Sequence, residues 1–304
     1  MELKREPTQL KPSSFKIVAK HTKTLSLFLQ VTTYAMIQGL QQETAMNLQT
    51  LGIFSILSYL AIAFVQGLHL FGKLKTVRSW YFTGSFFSLL AHGFVLYKLI
   101  DTPMGQNMDW LIMLSFTLWL MNLLTFMISV RAPMMELCVL TYPLSALILG
   151  LGLFTGHHEA LSKTPPQALM HIFISLFAMS LLTLASLQAI LLALQNTLLK
   201  QHRPSVMLRI LPPLQTMESM LFIILWSGLI FLSASLLSGF FFLSWQEHIA
   251  YPKTILAIIA WISLALLMIG RVIFGWRGPT AIRWTLSSTI FAVLSYFGTK
   301  ALLL

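Results

Sequence analysis

Eight apolar runs recur along the chain, at about 49–71, 80–100, 110–130, 134–155, 168–197, 218–244, 254–274 and 284–303. Each is near the roughly 20 residues that a helix needs to cross a bilayer. In hydrocarbon every backbone amide must be paired within its own segment or within a closed barrel. The runs lack the two-residue alternation of a membrane barrel. They predict an all-α fold, a polytopic membrane bundle of about eight helices. The fifth and sixth runs exceed the minimum, so tilting or projection beyond the bilayer is expected of them.

Composition agrees. Hydrophobic residues make up 57% of the 304 and charged residues 10%, too few charges to cover a soluble surface. The net charge of +11 does not imply a nucleic-acid partner. The cations occupy short loops between spans and form no continuous basic face. The partner they imply is the lipid bilayer. A single cysteine, Cys138, excludes an internal disulfide, a paired-cysteine redox motif and a metal site built on paired cysteines.

Lys and Arg counts set the orientation. One set of loops and span ends carries Lys73, Lys75, Arg78, Arg131, Lys200, Arg203, Arg209, Arg271, Arg277 and Arg283, ten in all. The opposite set carries Lys98, Lys163, Lys253 and Lys300, four in all. The richer side is expected to be cytoplasmic. Trp80, Trp110, Trp245, Trp276 and Trp284 fall near the expected interfaces, as an aromatic belt does. Residues 1–47 read as a basic N-terminal extension to a membrane domain of 48–304. Carrying that extension outward would break the charge bias. Two readings stand: residues 23–41 form a weak extra span or interfacial helix, or translation starts at Met46.

Several short stretches carry a family likeness: "DTPMGQN" (101–107), "MHIFISLFAMSLLTLASLQAILLALQ" (170–195), "LPPLQTMESMLF" (211–222), "KTILAIIAWISLALLMIG" (253–270), "GWRG" (275–278) and "SYFG" (295–298). In this order and spacing the chain resembles the cytochrome c assembly family of membrane proteins, which includes CcsA and HemX. It resembles in particular the smaller YpjD-type inner-membrane proteins. The resemblance implies a multi-pass protein of the bacterial inner membrane and haem as a cofactor, held by histidines. It also implies a partner from the cytochrome-maturation machinery. By position His171 matches the family's outer histidine. The chain departs from the family pattern elsewhere. The tryptophan-rich outer motif is reduced to Trp245 within "LSWQEHIAYPK" (243–253), and Arg271 stands where a histidine precedes the "GWRG" loop.

Two histidines are therefore candidate cofactor-binding and metal-ligating residues, His171 and His92. By residue count they lie about 8 and about 12 Å from the outer membrane edge. A neutral imidazole ligates haem iron through one ring nitrogen. For both residues the alternative is a hydrogen-bonded histidine between helices. Bis-histidine ligation requires their two helices to be neighbours, with Gly93 easing the approach. His157, His158, His202 and His248 fall in loops and read as solvated. Asn122, Gln188, Glu136 and Glu218 are polar groups within or at the ends of spans, where they need partners. No catalytic residue is expected, and the chain reads as a non-enzyme. It lacks Gly-x-Ser-x-Gly, P-loop and His-Glu-x-x-His patterns. The expected function is haem binding or an accessory role in cytochrome c maturation. The alternative is a cofactor-free membrane scaffold that binds a partner protein.

Overall fold

The structure is a computed structural model, and it describes residues 47–298 apart from 75–77, 103–104, 133, 156–162, 202–207, 209 and 243–251. The basic segment of residues 1–46, with the choice between an extra span and a Met46 start, lies outside the described residues. So do Lys75, Lys300, Arg203, Arg209, Trp245, His157, His158, His202 and His248. The chain divides into two units, Met1–Thr50 and Leu51–Leu304. The second unit carries the helical bundle.

Eight α-helices are described. They are α1 (Asn47–Leu70), α2 (Arg78–Ile100), α3 (Trp110–Ser129), α4 (Cys138–Phe154), α5 (Pro166–Lys200), α6 (Leu214–Phe242), α7 (Pro252–Phe274) and α8 (Pro279–Val293). A 3₁₀ turn, Met135–Leu137, leads into α4, and a π-helical turn, Leu294–Gly298, prolongs α8. Seven of the helices are long and apolar enough to cross a membrane. The eighth has 15 residues before its π-helical turn. The chain is a polytopic helical membrane bundle.

Local chemistry explains the boundaries. Helices α5, α7 and α8 each begin at a proline. The missing N–H costs nothing in a first turn, and the fixed φ suits the helix. This starts α8 at Pro279, so Arg283 sits within the helix, not in the loop before it. Asp109 caps α3, its Oδ1 accepting from the Leu111 amide at 2.8 Å. Between α2 and α3 the "DTPMGQN" stretch makes a two-residue antiparallel pairing, Asp101–Thr102 with Gly105–Gln106. Gln106 Oε1 accepts from the Thr164 amide at 3.1 Å. That bond ties the start of α5 to the α2–α3 connection.

Helix α3 packs against α2, α4 and α5, and α5 packs against α3, α6 and α8. The longest interface joins α5 to α6. Along α5, Leu176, Leu184, Ala185 and Ala189 have no exposure. Facing outward are Phe64, Phe87, Ile258, Leu266 and Val272, with Val272 71% exposed. In water a surface like this would be an aggregation site; in a bilayer it is the lipid face.

Candidate functional site

His171 lies on the second turn of α5, half-buried against α6. Its Nδ1 is 2.8 Å from Ser238 Oγ. One turn further along α5, Ser175 Oγ donates to the His171 carbonyl at 2.7 Å and lies 2.7 Å from Ser235 Oγ. Ser238 Oγ donates to the Ser235 carbonyl at 2.9 Å. Gly239 lets the ring lie close: a Cβ there would be 3.1 Å from His171 Cε1. The sequence already places Ser175 beneath His171 on one helix face. It does not show that Ser235, Ser238 and Gly239 of α6 complete the group. The available signal is their spacing, small residues three and four apart, which marks a close helix contact in membranes.

His92 is fully buried on α2. Its Nε2 is 3.0 Å from Ser115 Oγ on α3 and its Nδ1 is 3.3 Å from the Tyr59 hydroxyl on α1. The Tyr59 ring meets it edge to face, with centroids 5.7 Å apart. Both ring nitrogens therefore have hydroxyl partners. Iron ligation would displace one of them and would need room for a porphyrin where three helices meet. His92 does not fit a haem ligand; it fits the interhelical histidine of the alternative reading. Nor do the hydrogen bonds of His92 and His171 converge, since one set leads to α1 and α3 and the other to α6. Gly93 does ease a close approach, but to Trp119 on α3, whose ring a Cβ would meet at 2.9 Å.

The fit of haem to His171 is better. A ligating histidine normally has its second nitrogen hydrogen-bonded, which fixes ring orientation. Ser238 supplies such a partner. Among the described residues no group of three or more His, Cys, Asp or Glu side chains forms a metal site.

Of the other polar residues singled out in the sequence, Asn122, Gln188 and Glu218 have partners. Asn122 Nδ2 donates to Ser145 Oγ at 2.7 Å, joining α3 to α4, and Gln188 Nε2 donates to the Met217 carbonyl at 3.3 Å, joining α5 to α6. At the end expected to be cytoplasmic, Arg271 and Glu218 approach to 3.6 Å. The Arg271 guanidinium also lies 4.3 Å from the centroid of Phe222 and donates to the Trp276 carbonyl at 3.3 Å. Glu218 accepts from the Gly278 amide at 3.4 Å. Gly275 and Gly278 have φ of 66° and 54°, values that only glycine adopts readily. They let the chain reverse between α7 and α8. Trp276 then folds back over Gly270 and stacks on Trp284, with centroids 5.9 Å apart and planes 21° apart. Arg271, at the family's histidine position, is thus engaged in holding this turn.

A model of the family described as "Cytochrome C assembly protein" matches residues 80–304. That range takes in α2 through α8 and both histidines. The chain belongs to the cytochrome c assembly protein family. It is 26% identical over 257 residues to "Inner membrane protein YpjD" of Escherichia coli strain K12, a match covering 82% of this chain and 97% of the relative. It is 30% identical over 134 residues to an "Uncharacterized 28.8 kDa protein in nifR3-like 5'region" of Azospirillum brasilense, covering 43% of this chain and 49% of that protein. No solved structure matches the chain. The membrane-spanning helices and the inner-membrane relative place the protein in the bacterial inner membrane, as the sequence leads one to expect.

Proposed function

We propose that this inner-membrane protein binds haem through His171 and has an accessory role in cytochrome c maturation. The observation that carries the reading is the setting of His171. It is half-buried near the end of α5 expected to face outward, its ring backed by Ser238 of α6 and lying against Gly239. Family membership supports haem as the ligand. When bound, the iron would supply an electrophilic centre for the imidazole and a redox couple tuned by that ligand. The residues of this chain hold the imidazole at a fixed rotation and shield one of its faces from lipid and water. His92 takes no part, its two nitrogens being satisfied within the bundle.

A second reading, a cofactor-free scaffold that binds a membrane partner, draws support from two observations. His92 is enclosed, and Arg271 is paired with Glu218 where the family resemblance implies a histidine. One purification separates the two readings. The full chain is extracted in mild detergent and its absorption spectrum recorded, with and without added haemin. A Soret band that is lost in His171→Ala and kept in His92→Ala is the expected result. Wild-type protein that acquires no Soret band, yet co-purifies reproducibly with an identified membrane protein, would establish the scaffold.

A further inference from the structure

Helices α2, α3 and α5 leave a groove of about 310 Å³ between them, at the end of the bundle expected to face outward. A concave, mostly apolar site of this size with a few polar groups can take a small or chain-like ligand. Its floor is Leu96, Phe116 and Trp119, and the last two rings stack with centroids 5.8 Å apart. Gly93 forms the inner end, where the Trp119 indole lies too close for a Cβ. Tyr97 and Phe173 flank the groove and are 58% and 45% exposed, so it opens sideways to lipid. Asp101 and Gln106 form the other end. From Gly93 to Asp101 the helix rises about 12 Å. The groove is therefore apolar towards the membrane centre and polar at the headgroup layer.

Two charges stand at the polar end. Lys98 is exposed beside the groove, its Nζ 5.6 Å from the centroid of the Tyr97 ring and 5.8 Å from that of Phe94. Phe94 lies one turn nearer the membrane centre, so the ammonium is held on the inner side of the exposed Asp101. Among the described residues the one ion pair joins Arg271 to Glu218, so neither charge is neutralised by a salt bridge there. Going outward, the order is cation, then anion. A phospholipid headgroup with a primary amine has the complementary order, phosphate nearest the chains and ammonium beyond it. We propose that the groove binds such a lipid, a phosphatidylethanolamine, with an acyl chain on the aromatic floor, the phosphate at Lys98 and the ammonium at Asp101. A primary ammonium brings three N–H donors. The Asp101 carboxylate accepts one in a charge-assisted bond. Gln106 Oε1 accepts from the Thr164 amide at 3.1 Å and has a second lone pair for another. Phosphatidylcholine has the same charges but no N–H to donate, and phosphatidylglycerol offers Asp101 no cation. Lipid binding at this groove requires no haem.

Native mass spectrometry tests this on the full chain, delipidated in detergent and titrated with dioleoyl phosphatidylethanolamine, phosphatidylcholine and phosphatidylglycerol in equal amounts. The first lipid retained should be phosphatidylethanolamine, ahead of both others. Asp101→Asn and Lys98→Gln change exposed side chains, and each should lower its retention roughly 2–5-fold, the ordinary worth of an exposed charge pair. Leu169→Trp fills the groove and leaves both charges in place; it should lower first-site retention of all three lipids. Far-ultraviolet circular dichroism confirms that each variant keeps its helices. Equal retention of the three lipids by wild type would overturn the proposal. Preference for phosphatidylglycerol would overturn it too, and would assign Lys98 to anionic lipid alone. A phosphatidylethanolamine preference that survives both charge variants, or the filled groove, would place the lipid elsewhere and overturn the site.

Discussion

Replacing Gly270 by alanine tests how the turn between α7 and α8 is packed. Gly270 is buried in the last turns of α7, and its carbonyl accepts from the Trp276 amide at 3.2 Å. A Cβ at residue 270 would overlap the Trp276 indole, meeting its Cζ3 at 2.7 Å. The ring cannot swing aside cheaply, because it stacks on Trp284 and its backbone carbonyl is held by Arg271. Two effects oppose each other. Overpacking costs about 1–3 kcal/mol, and exchanging glycine for alanine inside a helix gains about 1 kcal/mol. The net cost in the wild-type background is therefore about 0–2 kcal/mol.

Removing the ring removes only the first effect. In a Trp276→Ala background Gly270→Ala should become stabilising by about 1 kcal/mol, a coupling of about 1–3 kcal/mol between the two positions. The assay is reversible unfolding of the full chain in mixed micelles, followed by ellipticity for all four members of the cycle. Near-ultraviolet circular dichroism reports separately on the Trp276–Trp284 stack, whose signal should fall in Gly270→Ala. Equal effects of Gly270→Ala in both backgrounds would refute the proposed packing. So would destabilisation with the tryptophan signal intact.

Two further outcomes are expected. His92→Phe should destabilise the bundle by about 1–3 kcal/mol for each hydroxyl left without a partner at Tyr59 and Ser115, while any haemin spectrum stays as in wild type; thermal unfolding and absorption check both parts. Cys138 is fully buried, so wild-type protein should resist a membrane-impermeant maleimide. Arg131→Cys should then be labelled only from the cytoplasmic side and Lys163→Cys only from the outer side; reversed labelling would refute the orientation drawn from the charge bias.

Much of the fold is legible in the sequence because a bilayer permits so few solutions. An apolar run of 20 residues with no strand-like alternation has to be a helix. Pro166, Pro252 and Pro279 fall where helices start, and Gly275 and Gly278 where one ends. Hydropathy alone starts the eighth span about five residues late. Arg283 then looks like a loop residue, whereas the rule for proline at a first turn puts the start at Pro279. The site is only half legible. Helical spacing puts Ser175 under His171, since both lie on α5, but Ser235 and Ser238 sit 60 or more residues further along. Which turn of α6 faces His171 depends on how two helices slide past each other, and no local pattern encodes that. His92 misleads for the same reason. A histidine in an apolar run looks chemically available until the helices that satisfy it are placed around it.

The contrast between the two histidines follows from how membrane helices choose neighbours. Lipid tails are as apolar as leucine, so apolar burial alone does not distinguish a helix partner from lipid. Short polar contacts can. This bundle has one at almost every junction. Ser88 donates to Ser58 between α2 and α1, Tyr142 to Ser85 between α4 and α2, and Ser180 to the Thr117 carbonyl between α5 and α3. Trp261 donates to Ser233 between α7 and α6, Ser263 to Ser288 between α7 and α8, and Thr289 to the Leu182 carbonyl between α8 and α5. His92, bridging Tyr59 and Ser115, is one more of these contacts and needs no cofactor to explain it. His171 is different in kind. The α5–α6 junction already has Gln188 reaching a backbone carbonyl of α6, and Gln195 reaches the Pro212 carbonyl just before that helix. A half-buried imidazole set among Ser175, Ser235 and Ser238 is more than that junction requires for pairing. Polar groups within a membrane are costly and are by default candidates for function, and that cost is the physical support for the proposed role of His171.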